Sequence, residues 1–183
     1  MKQVRGFTLL ELMVTMVILV IIAAFAAPSF NNLMRNTRID SNTSKIRTAL
    51  TYARSEAVNL GSTVTVCSST DLLNCNGDQQ WETGWIVFSD LDSDGAFDGP
   101  TTTPCVTGND CVLRVSGALP EDAVLLETNG ERFVTFTAQG AVVPNASMAF
   151  SLALTMPDCA VGEMRTLNIN LIGRLTVTTG NCP

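Results

Sequence analysis

Apolar and polar positions divide this chain sharply. Phe7 to Ala27 is a 21-residue block whose only ionisable side chain is Glu11. As a helix rising about 1.5 Å per residue it spans roughly 31 Å, close to a bilayer's hydrocarbon thickness. Pro28 follows, and its ring removes a backbone donor, so a kink or a locally melted turn is expected there. Helical spacing then resumes. Phe30, Leu33 and Met34 share a face, and Ile46, Ala49, Leu50, Ala53, Ala57 and Leu60 continue at intervals of three and four. Gly61 supplies a stop. The pattern predicts one helix of about 54 residues. Its first half is apolar all round and suits a membrane or a filament core. Its second half has one apolar stripe and should pack on a globular head.

From Ser62 the pattern turns to short β-rich runs broken by Gly, Pro, Asn and Asp. Strands are predicted near Thr63–Cys67, Trp85–Ser89, Cys111–Val115, Val124–Glu127, Phe133–Thr137, Met148–Leu154, Thr166–Leu171 and Leu175–Thr178. Period-two alternation is clearest in Phe133–Thr137 and Leu167–Leu171, giving each one apolar face. A long helix packed on an antiparallel β-sheet head is an α+β architecture. There is no internal repeat and no low-complexity linker.

The 183 residues suffice for one domain with a real core. Lys2 and Arg5 precede the apolar block, which by the positive-inside bias leaves the N-terminus cytoplasmic and the chain beyond Pro28 outside. All six cysteines, 67, 75, 105, 111, 159 and 182, lie in that exported part, as expected of disulfides made in an oxidising compartment. No histidine is present, which removes the commonest general base and zinc ligand. The helix carries Arg35, Arg38, Lys45, Arg47 and Arg54 against Asp40 and Glu56. The plain reading is a solvated face; the sharper one is contact with acidic neighbours or lipid headgroups.

The N-terminus admits duller readings. An ordinary secretory signal has a shorter apolar stretch and a small-residue cleavage site behind it. A plain transmembrane anchor fits the length but leaves Glu11 unexplained, because a charged side chain within a spanning helix costs about 2.5–3.5 kcal/mol by insertion scales. Basic residues, Gly6, Phe7-Thr8-Leu9-Leu10-Glu11, and a proline some 20 residues on resemble the class III leader of type IV pilins and pseudopilins. That resemblance implies cleavage after Gly6 by a prepilin peptidase and methylation of the new amino group on Phe7. It also implies pairing of Glu11 with the amino terminus of a neighbouring subunit. Two buried opposite charges offset each other's desolvation, whereas either alone is strongly unfavourable.

A second resemblance covers most of the chain. Tyr52-Ala-Arg-Ser-Glu-Ala-Val58, then Val64-Thr-Val-Cys67, then Trp81-Glu-Thr-Gly-Trp-Ile-Val-Phe88 before an Asp-rich turn, is similar to the GspH/FimT family. So are the Phe136–Gly140 segment and the closing strand at Gly173-Arg174. Members are minor pilins of the FimU and FimT types or minor pseudopilins of type II secretion. The implied organisation is a leader at 1–6, a transmembrane and filament-core helix at 7–28, its amphipathic continuation at 29–60 and a periplasmic head at 61–183.

Candidate chemistry is sparse. Asp90-Leu-Asp92-Ser-Asp94-Gly95 matches the opening of a calcium loop, with alternate carboxylates and a glycine at the turn, but Thr101 stands where the bidentate glutamate belongs. Asp and Gly are also what tight turns select, and a plain turn is the preferred reading; no cofactor is expected, with calcium at Asp90, Asp92 and Asp94 the option kept. Six cysteines permit 15 pairings. Closeness suggests Cys67–Cys75 and Cys105–Cys111, each pinning a loop, with Cys159–Cys182 fastening the C-terminal strand. Zinc is the competing use, but intervals of seven and five residues are wide for paired ligands. Trp81 and Trp85 are a possible ligand platform, and more simply core. Without histidine no Ser–His hydrolase is possible, and carboxylates in a turn are more readily solvated than raised in pKa. No enzyme reading survives.

The expected function is that of a FimU-like minor pilin in the inner membrane, with its head in the periplasm. It would join the major pilin and other minor pilins in a complex that starts or tips a surface pilus, with Phe7, Glu11 and Pro28 serving assembly. The nearest rival is a minor pseudopilin of a type II secretion system. A DNA receptor of the FimT type is the alternative of another class. Residues 61–183 hold four basic side chains (Arg114, Arg132, Arg165, Arg174) against fourteen acidic ones, a balance that repels nucleic acid. The DNA-binding relatives carry a Gly-Arg-x-Arg motif, whereas Gly173-Arg174-Leu175 is followed here by Thr176. Nucleic acid is therefore not expected as a partner, and Arg174 is the one residue that would serve it.

Overall fold

The computed structural model of the chain describes residues 7–100, 108–120, 123–143, 150–157, 159 and 161–182, without the side chains of 25–29 and 31. The chain forms two compact units, Met1–Arg38 and Ile39–Pro183. Helix α1 (Leu9–Leu60) is 52 residues long. At its start the Thr8 hydroxyl accepts the Glu11 N–H at 3.2 Å and the Thr8 carbonyl accepts the Leu12 N–H at 3.2 Å, a side-chain cap for donors that the first turn would otherwise leave unpaired. At its end Gly61 takes a left-handed φ of 63°, as a residue just past a helix commonly does. The helix continues through Pro28. The melted turn expected there does not occur: proline deletes one donor, and the surrounding turns keep theirs.

In the first unit the apolar side chains from Phe7 to Ile22 are exposed, and so are Phe30, Leu33 and Met34. The buried stripe therefore does not begin at Phe30, as the spacing suggested. It begins in the second unit at Ile39 and runs through Ile46, Ala49, Leu50, Ala53 and Ala57, while Leu60 is exposed. Leu60 is the last residue of the helix, past the last turn that burial reaches.

The head is built from β1 (Val64–Ser68), β2 (Gly84–Ser89), β3 (Cys111–Gly117), β4 (Val124–Glu127), β5 (Phe133–Phe136), β6 (Phe150–Thr155), β7 (Met164–Ile169) and β8 (Leu175–Gly180). They form two four-stranded antiparallel sheets, ordered β3-β2-β1-β5 and β4-β6-β7-β8. The segment before β2 ties to the second sheet, where Trp81 N donates to Leu125 O at 2.8 Å and Glu127 N to Gln79 O at 3.0 Å. A main core gathers the α1 stripe with Val64, Val66, Trp85 and Phe136 of the first sheet and Leu125, Leu152, Leu154, Leu167 and Ile169 of the second. Trp81 meets Phe150 edge-on in that core, with ring centroids 5.2 Å apart. This is the α+β architecture expected.

Strands β1 and β2 depart from the one-face pattern, for every residue in both is buried. A second, smaller core explains it. Cys67, Ile86, Phe88 and Phe97 cluster with Phe133 and Leu72 packed against them. Loops thus cover the face that alternation would have left to solvent.

Candidate functional site

At the N-terminus the expected cleavage point, Gly6, lies outside the described residues. Phe7 and Glu11 are exposed on the first unit, available to a partner. The Thr8 cap puts Glu11 at the third helical position, so Thr8-Leu-Leu-Glu11 has the spacing of a capping box. The sequence reading missed the Thr8 cap, although a hydroxyl three residues before a carboxylate was the available sign. Among the described residues no helix is long and apolar enough to cross a membrane. The expected span at 7–27 runs into the undescribed side chains at 25–29, among which Pro28 stands.

Two of the expected disulfides are present, Cys67–Cys75 and Cys159–Cys182. Cys111 is also disulfide-bonded; Cys105, its expected mate, lies outside the described residues. The first bridge fastens the loop after β1 over the smaller core. That loop is shaped by Asp71, which accepts from Leu73 N at 2.8 Å, Asn74 N at 2.9 Å, Asn74 Nδ2 at 3.0 Å and Ser69 Oγ at 3.1 Å. The Asn74 side-chain bond and the backbone donors stabilise the charged form and hold this carboxyl well below the usual carboxylate range.

The carboxylates of Asp90, Asp92 and Asp94 come within 4.8 Å of one another. They are not alike. Asp92 and Asp94 are solvent-facing, whereas Asp90 is fully buried. Its Oδ1 accepts from Ser93 N at 2.7 Å; its Oδ2 accepts from Thr65 Oγ1 at 2.6 Å and Gly95 N at 3.1 Å. Burial pushes its pKa up, against the pull of these donors, and Asp110 raises it further. Asp90 thereby staples the loop back onto β1, with Asp110 receiving Leu91 N at 3.0 Å and Asp98 N at 3.2 Å. Gly95 is needed for packing as much as for turning: its φ is 79°, and a Cβ there would collide with the Phe133 ring. The Asp-x-Asp-x-Asp-Gly spacing thus has an account in loop packing.

Trp81 and Trp85 are both in the core, so they form no open platform. Arg174, the one residue kept for nucleic acid, is exposed beyond Gly173 (φ 74°) and lines a cleft with Arg47 and Arg54. Arg54 is no merely solvated base: its Nε donates to Gly140 O at 2.8 Å and its guanidinium to Ile172 O at 3.2 Å. Asp40 likewise pairs with Arg165 at 3.1 Å.

Two family models match the chain. That of the type II transport protein GspH covers residues 42–173, and that of the prokaryotic N-terminal methylation motif covers residues 1–27. No curated protein matches. Among solved structures, the type IV minor pilin FimU of Pseudomonas aeruginosa is similar in two crystal forms. One is 24% identical over 76% of this chain and 91% of that chain, with a TM-score of 0.54. The other is 23% identical over 76% and 87%, with a TM-score of 0.56. The minor pseudopilin EpsH of the Vibrio cholerae type 2 secretion system is 14% identical over 78% and 97%, with a TM-score of 0.46. The likeness to FimU shows the fold: a helix packed on antiparallel sheets.

Proposed function

The chain belongs to the family of type II transport proteins called GspH, and on that premise we propose that it is a FimU-like minor pilin. In this reading it is held in the inner membrane by residues 7–27, with its head in the periplasm. It is cleaved after Gly6 by the prepilin peptidase, methylated on Phe7, and joins the major pilin and other minor pilins in a complex that starts or tips a type IV pilus. The observation that carries the reading is the order of the two matched segments, a methylation motif at 1–27 directly ahead of a head matched at 42–173. That order couples a leader made for polymerisation to a head of the matched family. Glu11 supports it too, because an exposed carboxylate one turn into an apolar helix needs a counter-charge once that helix is buried in a filament.

The description of the matched family favours a second reading, a minor pseudopilin serving type II secretion. The deciding experiment deletes the gene and examines surface pili by electron microscopy and by immunoblot of the sheared major pilin. Loss of surface pili, restored by the intact gene, is the expected outcome. Normal piliation with lost exoprotein release would instead assign the chain to the secretion machine.

A further inference from the structure

Basic side chains are scarce on the head, yet one of them converges with two from the helix. Arg47 and Arg54 of α1 and Arg174, just before β8, line a cleft of about 200 Å³ floored by Leu50 and Phe136. Among the described residues no carboxylate lines it. The Arg54 side chain and the Arg174 backbone are held there by construction. Arg54 is fixed by the Gly140 and Ile172 carbonyls. Gly173 brings the following Arg174 close, since a Cβ at 173 would collide with the Gly140 carbonyl and crowd the Arg54 guanidinium. Three arginines lining one cleft gather positive charge on a surface that is otherwise strongly acidic, which favours an anion there.

We propose that this cleft receives a cluster of acidic side chains from a neighbouring filament subunit, an inference that rests on reading the chain as a pilin. Guanidinium forks match carboxylates in pairs of parallel hydrogen bonds. The volume takes one or two side chains, and the Leu50 and Phe136 floor suits their aliphatic stems. A nucleic acid strand would have to continue beyond the cleft, across a surface where carboxylates outnumber bases and repel it. A basic cleft on one subunit filled by an acidic surface on the next is a heterologous contact, the kind that propagates along a filament without closing.

The test places a photo-crosslinker in the cleft of the full chain, as Thr51→benzoylphenylalanine, in cells that assemble filaments, and maps the adduct by mass spectrometry. The expected adduct is an Asp- or Glu-bearing peptide of another subunit with a prepilin leader. Arg47→Glu with Arg174→Glu lowers its yield at least tenfold, and reversing the partner's acidic residues to lysine restores it. Arg47→Gln with Arg174→Gln, which only removes charge, also lowers the yield, so the result does not depend on the reversed variant folding. Adducts to nucleic acid or lipid alone, no adduct at all, or a yield indifferent to both double variants overturn the inference. If the adduct forms but the wild-type chain is absent from sheared filaments, the pilus assignment fails and the cleft contact stands. If the chain enters filaments equally well with and without the arginines, and no adduct forms, the pilus assignment stands and the cleft contact fails.

Discussion

Arg54 Nε donates to the carbonyl oxygen of Gly140 at 2.8 Å, across a sequence separation of 86 residues. Through its second bond, to the Ile172 carbonyl, one helical side chain binds two distant turns. A charge-assisted bond of this kind contributes about 1.5–3 kcal/mol where it is shielded from water, and less at an exposed guanidinium. The contact depends on Gly173, whose turn lies against both partners.

Gly173→Ala is expected to destabilise the chain by about 1–3 kcal/mol, from a strained left-handed φ together with the collision at Gly140. Gly162→Ala is the control. Its φ is 83° but a Cβ there meets nothing within 4 Å, so only the backbone strain remains. Urea unfolding of the two variants should rank Gly173→Ala as the more damaging; equal losses would remove the packing argument.

The helix end, the eight strands and the disulfide spacing were legible because each leaves a local sign: Gly61 at a stop, Gly, Asn and Asp between runs, cysteines close in sequence. What was not legible is decided by distant pairing. Nothing local sends β4 to one sheet and β5, six residues on, to the other. The double burial of β1 and β2 follows from loops folding over them, and alternation within a strand cannot report that. Asp90 and Asp92 read alike in sequence, yet Thr65 and two backbone amides make one a buried staple. Arg54 read as a solvated base because its acceptors are carbonyls 86 and 118 residues away.

Asp90 and Asp71 should titrate in opposite directions from 3.8, the ordinary value for both. Asp90 keeps its proton more tightly folded than unfolded, so its contribution declines as pH rises from 3.8 through its raised folded value. Asp71 has a depressed folded value, so its contribution is present above 3.8 and disappears as pH falls through that lower value. Carboxyl carbon titrations by NMR measure both midpoints. An Asp90 midpoint at or below 3.8 would contradict the burial argument.

Removing the Cys67–Cys75 bridge by paired serine substitution is expected to cost about 2.5 kcal/mol, and removing Cys159–Cys182 about 3.5, from loop entropy alone. The order follows from sequence separations of 8 and 23. Urea midpoints of the full chain in detergent check it. The Cys67 variant should in addition lose protection of the 69–78 loop from proteolysis, because that bridge fastens the loop over Ile86 and Phe88.

Two physical uses are open to Glu11, and one pair of substitutions separates them. From the third position of a capping-box spacing it would support the start of α1, worth about 0.3–1 kcal/mol with the helix dipole included. On the proposed pilin reading it would pair, as a buried carboxylate in a filament, with the amino terminus of another subunit, where loss of one partner costs about 3–5 kcal/mol. Glutamine serves a capping box nearly as well as glutamate but carries no charge. If pairing is the assembly device, Glu11→Gln and Glu11→Ala are both exported and processed and both enter sheared filaments poorly, by tenfold or more. If capping is what matters, Glu11→Gln assembles like the wild-type chain and only Glu11→Ala falls. Immunoblots of the shear fraction against the membrane fraction read the two outcomes directly, and normal assembly of both variants would leave Glu11 with neither role.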